Sequence, residues 1–133
     1  MRYLFDVSSL LALGVKEHQF RPRVSKWLLS LAAIETPQLA TCSITELGFV
    51  RIASQVAEYG FTVEQAREEL SNLKISKNYD FAFIADGNDV SNLPDWVKLS
   101  KHTTDGHLAE LAKAHGCTLA TFDENIPGSF VIP

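Results

Sequence analysis

At 133 residues the chain has the length of one ordinary domain and enough residues to bury a core. Its 46% hydrophobic and 21% charged content is that of a globular chain, and no apolar run approaches the ~20 residues needed to cross a bilayer. The net charge of −4 excludes nucleic-acid binding by bulk charge, so any such binding must come from a local basic patch or a metal.

The start, Met1-Arg2-Tyr3-Leu4-Phe5-Asp6, places charges too early for the apolar core of a signal peptide. Cys42 and Cys117 each sit in apolar surroundings, as reduced thiols of a cytoplasmic protein do. Tyr3-Leu4-Phe5 reads as a buried first strand that ends at Asp6. Ser8 or Ser9 is expected to cap a helix over Leu10–Leu13, with Gly14 near its end. Pro22 suits the first turn of a second helix with Val24, Trp27, Leu28 and Leu31 on one side. Leu39-Ala40-Thr41 makes a second strand. Ser43-Ile44-Thr45-Glu46 starts a helix whose apolar side is expected to hold Leu47 and Val50. Thr62 to Gln65 is a capping signature for a helix running to about Leu73.

Tyr79–Ile84, rich in aromatic residues, reads as a strand or a strand–helix junction. Thr103-Thr104-Asp105 precedes the helical stripe Leu108, Leu111, Ala112 and His115, stopped by Gly116. Cys117–Thr121 is a strand delivering Phe122-Asp123, and Phe130–Ile132 a last strand after a turn at Pro127-Gly128. Short apolar strands alternating with helices predict a parallel sheet covered on both faces, in one domain over residues 1–133.

Asp6, Glu46, Asp105 and Asp123 each lie just past an apolar run or in a first helical turn, where an α/β fold converges on one crevice. Carboxylates gathered there repel one another unless a cation sits among them, and oxygen-rich sites suit hard ions such as Mg²⁺ and Mn²⁺. Taken singly, each acid has a plainer reading. Asp6 and Asp105 fit helix starts, Asp123 a turn, and Ser43–Glu46 a capping box. His102, His107 and His115 show no zinc-type spacing. Trp27 and Trp96 read as packing or interface residues, and Asp80, Asp86, Asp89 and Asp95 as solvated or turn residues.

In order, Leu4–Leu13 (LFDVSSLLAL), Thr45–Arg51 (TELGFVR), Thr103–Ala112 (TTDGHLAELA) and Gly116–Asp123 (GCTLATFD) resemble the PIN-domain ribonucleases, and among them the VapC-type toxins of bacterial toxin–antitoxin modules. The resemblance spans about residues 2–125 and is loose over Phe61–Lys101. It implies a Rossmann-like sheet with its acids at the carboxyl ends of the strands, and carries the metal-binding acids onto Asp6, Glu46, Asp105 and Asp123. It also implies an RNA substrate, a cognate antitoxin that silences the enzyme, and a homodimer.

For phosphodiester hydrolysis with Mg²⁺, or Mn²⁺ in its place, Asp6 and Asp105 are expected as the direct ligands. Glu46 and Asp123 would complete the set. Ser8, which matches a small polar position of the family, and Thr121 are expected to donate hydrogen bonds that hold the carboxylates. Lys16, Arg21, Arg23 and Lys26, with His18, and separately Arg51, form a candidate rim for RNA phosphates, and His107 a candidate substrate contact. The alternative is a PIN-like module that binds RNA or protein without cutting. A phosphatase or flavodoxin-like domain would need a Gly-rich phosphate loop or a Lys-paired phosphoacceptor, and neither is present.

Overall fold

The computed structural model describes residues 1–133. The first strand, β1 (Arg2–Phe5), is fully buried at Leu4 and Phe5. Successive side chains of a strand point to opposite faces, so Leu4 enters one core and Phe5 the other. The same division repeats at Leu39/Ala40 in β2 (Gln38–Thr41) and at Leu119/Ala120 in β4 (Thr118–Thr121). A strand buried on both faces needs helices on both faces, and these are present. Helices α1 (Val7–Gly14), α2 (Arg21–Ala32), α3 (Ser43–Gln55) and α4 (Val63–Ile75) supply the larger core with Leu10, Trp27, Phe49 and Leu70. Helix α5 (Thr103–Ala114) closes the other face with Leu108, Leu111 and Ala112.

With β3 (Asp80–Phe83) and β5 (Phe130–Val131) the sheet has five strands in the order β3-β2-β1-β4-β5. Every neighbouring pair is parallel. The chain builds outward from β1 to β2 and β3, then returns over the sheet through α5 to lay β4 on the other side of β1. The order therefore reverses between β1 and β4, the place where open α/β sheets hold their ligands.

Several helix starts differ from the sequence expectation. The N-cap of α1 is Asp6, whose Oδ1 accepts the Ser9 N–H at 2.8 Å, rather than Ser8 or Ser9. The box opening α3 is built one residue early, from Cys42 and Thr45, so Glu46 takes no part in capping. Leu47 is 70% exposed, while the buried side of α3 carries Thr45, Gly48, Phe49 and Ala53. Thr62 and Gln65 do form the reciprocal box of α4. Gly116 takes the left-handed φ of +67° that ends α5. Gly14 is a packing glycine instead: a Cβ there would stand 2.5 Å from the Phe49 ring.

Candidate active site

Register places the acids side by side. Phe5 pairs with Ala120 across β1 and β4, so Asp6, one residue on, faces Thr121 and the turn that carries Asp123. The Asp6 N–H reaches the Ala120 carbonyl at 3.3 Å. Asp6 is 8% exposed, and both bonds it accepts, from the Ser9 amide at 2.8 Å and the Ser9 hydroxyl at 2.7 Å, fall on Oδ1. Oδ2 is left for the cleft. The Asp123 amide donates to Thr121 Oγ1 at 3.0 Å, and its Oδ1 accepts the Asn125 amide at 2.8 Å, which fixes the turn.

Asp105 comes from the other side, in the first turn of α5. Gly106 lets that turn seat closely, since a Cβ would meet Val97 at 2.3 Å. Asp6, Asp105 and Asp123 line one cleft of about 260 Å³ with Ser8, His18, Gln19, Phe20, Thr121 and Phe122.

Charge is in surplus there. Burial, and then the charges of Asp6 and Asp123, hold the Asp105 carboxyl above its ordinary range, with His102 pulling weakly the other way. No group of three or more His, Cys, Asp or Glu side chains is arranged to hold a metal ion unaided. Mg²⁺ is usually held by one or two carboxylates plus water and substrate phosphates, so an open, all-oxygen, uncompensated acid set suits it better than a closed cage would.

Glu46 faces a different opening. Its Oε2 accepts the buried Thr41 hydroxyl at 2.5 Å and the Lys74 ammonium at 2.6 Å. Lys74 also lies 5.4 Å above the centre of the Phe83 ring. The side chain borders a groove of about 1030 Å³ between α3 and α4, walled by Leu47, Val50, Leu70, Ile75 and Phe83. The structure thus brings three of the acids into one cleft and sets Glu46 one strand over, at the end of β2, with a cation of its own.

The remaining predicted residues divide. Ser8 lines the cleft but is exposed, and the hydroxyl on Asp6 is that of Ser9. The Asp-x-x-Ser spacing from the strand end could have signalled this. Thr121 holds Asp123 through its main chain rather than its carboxylate. Arg23 is not a free rim cation: Nη2 donates to the Ile132 carbonyl at 2.5 Å, and the guanidinium lies 5.0 Å from the Phe20 and Phe122 ring centres. Arg21 bonds Ser25 at 3.4 Å, and Arg51 is exposed.

His107 is tied to Asp86 rather than turned to the cleft, and Asp86, exposed as expected, also accepts the Asn88 N–H on Oδ1 at 3.0 Å as a turn residue does. His115 bonds the Ala85 carbonyl at 2.9 Å. Trp27 is core, edge-on to Tyr3 and stacked with Phe130. Both cysteines are free, and burial raises the Cys117 thiol pKa, with Arg2 opposing. Lys74 and Thr41 were missed, because their tie to Glu46 joins distant elements that no local pattern connects.

A parallel sheet with helices on both faces and aspartates gathered in a cleft by its switch point defines an open-sheet α/β protein with an acidic cleft. The chain is 34% identical over 128 residues to Ribonuclease VapC38 of Mycobacterium tuberculosis (strain ATCC 25618 / H37Rv), covering 92% of this chain and 86% of that protein. It is 33% identical over 129 residues to Ribonuclease VapC44 of Mycobacterium tuberculosis (strain CDC 1551 / Oshkosh), with 95% and 89% covered. Ribonuclease VapC29 of that strain is 29% identical over 129 residues, again with 95% and 89% covered. No protein-family model matches the chain. The chain belongs to the VapC-type PIN-domain ribonucleases.

Proposed function

We propose that the chain is a Mg²⁺-dependent endoribonuclease, the toxin of a toxin–antitoxin pair, which hydrolyses RNA phosphodiester bonds over Asp6, Asp105 and Asp123, with Glu46 completing the acid set. The observation that carries this reading is the convergence of Asp6, Asp105 and Asp123 on one cleft where burial, and then the other two charges, push the Asp105 carboxyl up. The relatives' names as ribonucleases supply the reaction.

A bound Mg²⁺, or Mn²⁺, would supply a water of lowered pKa and neutralise charge on the phosphate and leaving oxygen. The chain's own part is positional. Ser9 fixes Asp6 so that Oδ2 faces the cleft, and Thr121 and Asn125 fix the turn of Asp123. Asp105 approaches from α5. Glu46, with Oε2 committed to Thr41 and Lys74, has Oε1 to offer.

A small antitoxin covering the cleft, a homodimer and a cytoplasmic setting complete the proposal. No helix is long and apolar enough to cross a membrane. The deciding experiment is cleavage of total RNA with mapped cut sites. Wild-type protein is expected to cut with Mg²⁺ and to stop in EDTA, and Asp6→Asn is expected to lose on the order of 10²-fold or more in rate. Full activity of that variant would remove the cleft from the mechanism.

A further inference from the structure

The acid cleft has to admit a phosphodiester that its own carboxylates repel, so donors inside it matter. The nearby cation Arg23 is spent on main-chain carbonyls and aromatic faces, and Lys74 is spent on Glu46 outside the cleft. Among the lining residues, His18 carries a ring nitrogen donor on a well-tethered stretch of main chain. Its amide donates to the Val15 carbonyl at 3.1 Å, and its carbonyl accepts the Arg21 amide at 3.0 Å.

Ring nitrogen Nδ1 accepts the Phe20 N–H at 3.0 Å. The ring also leans on Phe20 at 5.8 Å between centres, and Phe20 in turn on Phe122 at 4.7 Å. A nitrogen that accepts an N–H keeps its lone pair, so the proton of the neutral imidazole must sit on Nε2. Burial lowers the pKa of the ring and so favours that neutral form. A neutral N–H also suits this place, because an imidazolium would pair with the aspartates and compete for the oxygens a metal needs.

We propose that His18 contacts the substrate in the acid cleft: locked by the Phe20 amide, it presents Nε2–H as an uncharged donor to a phosphate oxygen of the RNA. The inference rests on reading the cleft as the ribonuclease site. It assigns to a residue of the α1–α2 connection a part in holding the phosphate, preorganised in the way that makes a donor effective.

Long-range ¹⁵N–¹H spectra of the wild-type protein read the tautomer without any variant. They should show Nε2 protonated and Nδ1 as acceptor. Adding uridine 5′-monophosphate with Mg²⁺, a phosphate with no internucleotide bond to cut, should then move the Nε2–H resonance. In steady-state cleavage of a fluorogenic RNA, His18→Gln places an amide N–H near the position of Nε2 and should stay within about threefold of wild type. His18→Asn, which mimics Nδ1, and His18→Phe should lose about 10–100-fold in kcat/KM, as for one hydrogen bond to a charged group.

A proton on Nδ1, an Nε2–H signal unmoved by the nucleotide, or folded His18→Phe cutting like wild type would each overturn the proposal, and the last would leave the ribonuclease reading intact. A shifted Nε2–H in a protein that cuts no RNA would uphold the phosphate contact and overturn the ribonuclease reading instead.

Discussion

Asp105 shows at a single side chain what the cleft costs in the absence of a cation. Burial and the charges of Asp6 and Asp123 raise its folded pKa above the unfolded value. A carboxyl shifted this way binds its proton more tightly in the folded state. Its stabilising contribution is therefore complete below the unfolded pKa and is lost as pH climbs through the raised folded value. Asp105→Asn should accordingly raise the melting temperature of EDTA-treated protein at pH 7 by roughly 1–4 °C, a modest gain because the half-open site screens the charges. Near pH 3.5, below that window, the gain should vanish. Calorimetry at both values checks the sign.

Every acid in question could be picked from the chain by its place after an apolar run or in a first helical turn, since strand ends and helix starts are locally marked. What each acid bonds to was not legible. Glu46 looked like the end of a capping box, yet Cys42 fills the cap and Glu46 turns to Thr41 and Lys74. Ser9 replaces Ser8 as the donor to Asp6 because the helix is capped by Asp6 itself, two or three residues sooner than the serines suggest.

Among the elements, α1 and α3 carry Asp6 and Glu46 at their starts and touch through a glycine. A Cβ on Gly48 would stand 2.5 Å from a Val7 methyl, and a β-branched neighbour has little rotamer freedom with which to yield. Gly48→Ala should cost roughly 1–3 kcal/mol of stability by overpacking. Because it separates the two acid-bearing helix starts, it should also lower kcat more than KM changes. Urea unfolding and steady-state kinetics on the same preparation measure both. Helix α2 was readable from its stripe because Val24, Trp27 and Leu28 are large. The buried side of α3 was not, since Gly48, Ala53 and Thr45 hide its period behind small or polar side chains while Leu47 points outward.

On the scale of the whole molecule, the alternation of short apolar strands with helices announced a parallel sheet, and the sheet is parallel throughout. The strand order and the fate of the basic residues depend on how distant segments meet. Arg23, twenty residues or so after β1 in sequence, ends against the last strand, bonded to the Ile132 carbonyl and stacked on Phe20 and Phe122. Arg23→Ala should therefore lower stability by about 1–2 kcal/mol, as expected for losing a charged hydrogen bond and aromatic contacts. The salt dependence of RNA binding should change little, in contrast to a true phosphate contact. Chemical denaturation and a salt titration of RNA affinity separate the two roles.

The bond from Lys74 to Glu46 has a thermodynamic corollary. A single carboxylate oxygen of Glu46 joins the Thr41 hydroxyl, at the end of β2, to the Lys74 ammonium on the wall of the large α3–α4 groove. Whatever draws the ammonium away from Glu46 alters the free energy of placing positive charge beside that acid. Linkage is reciprocal, so a cation settled near Glu46 must change by the same factor the affinity of anything that competes for Lys74. The strand end and the groove wall share one energetic account.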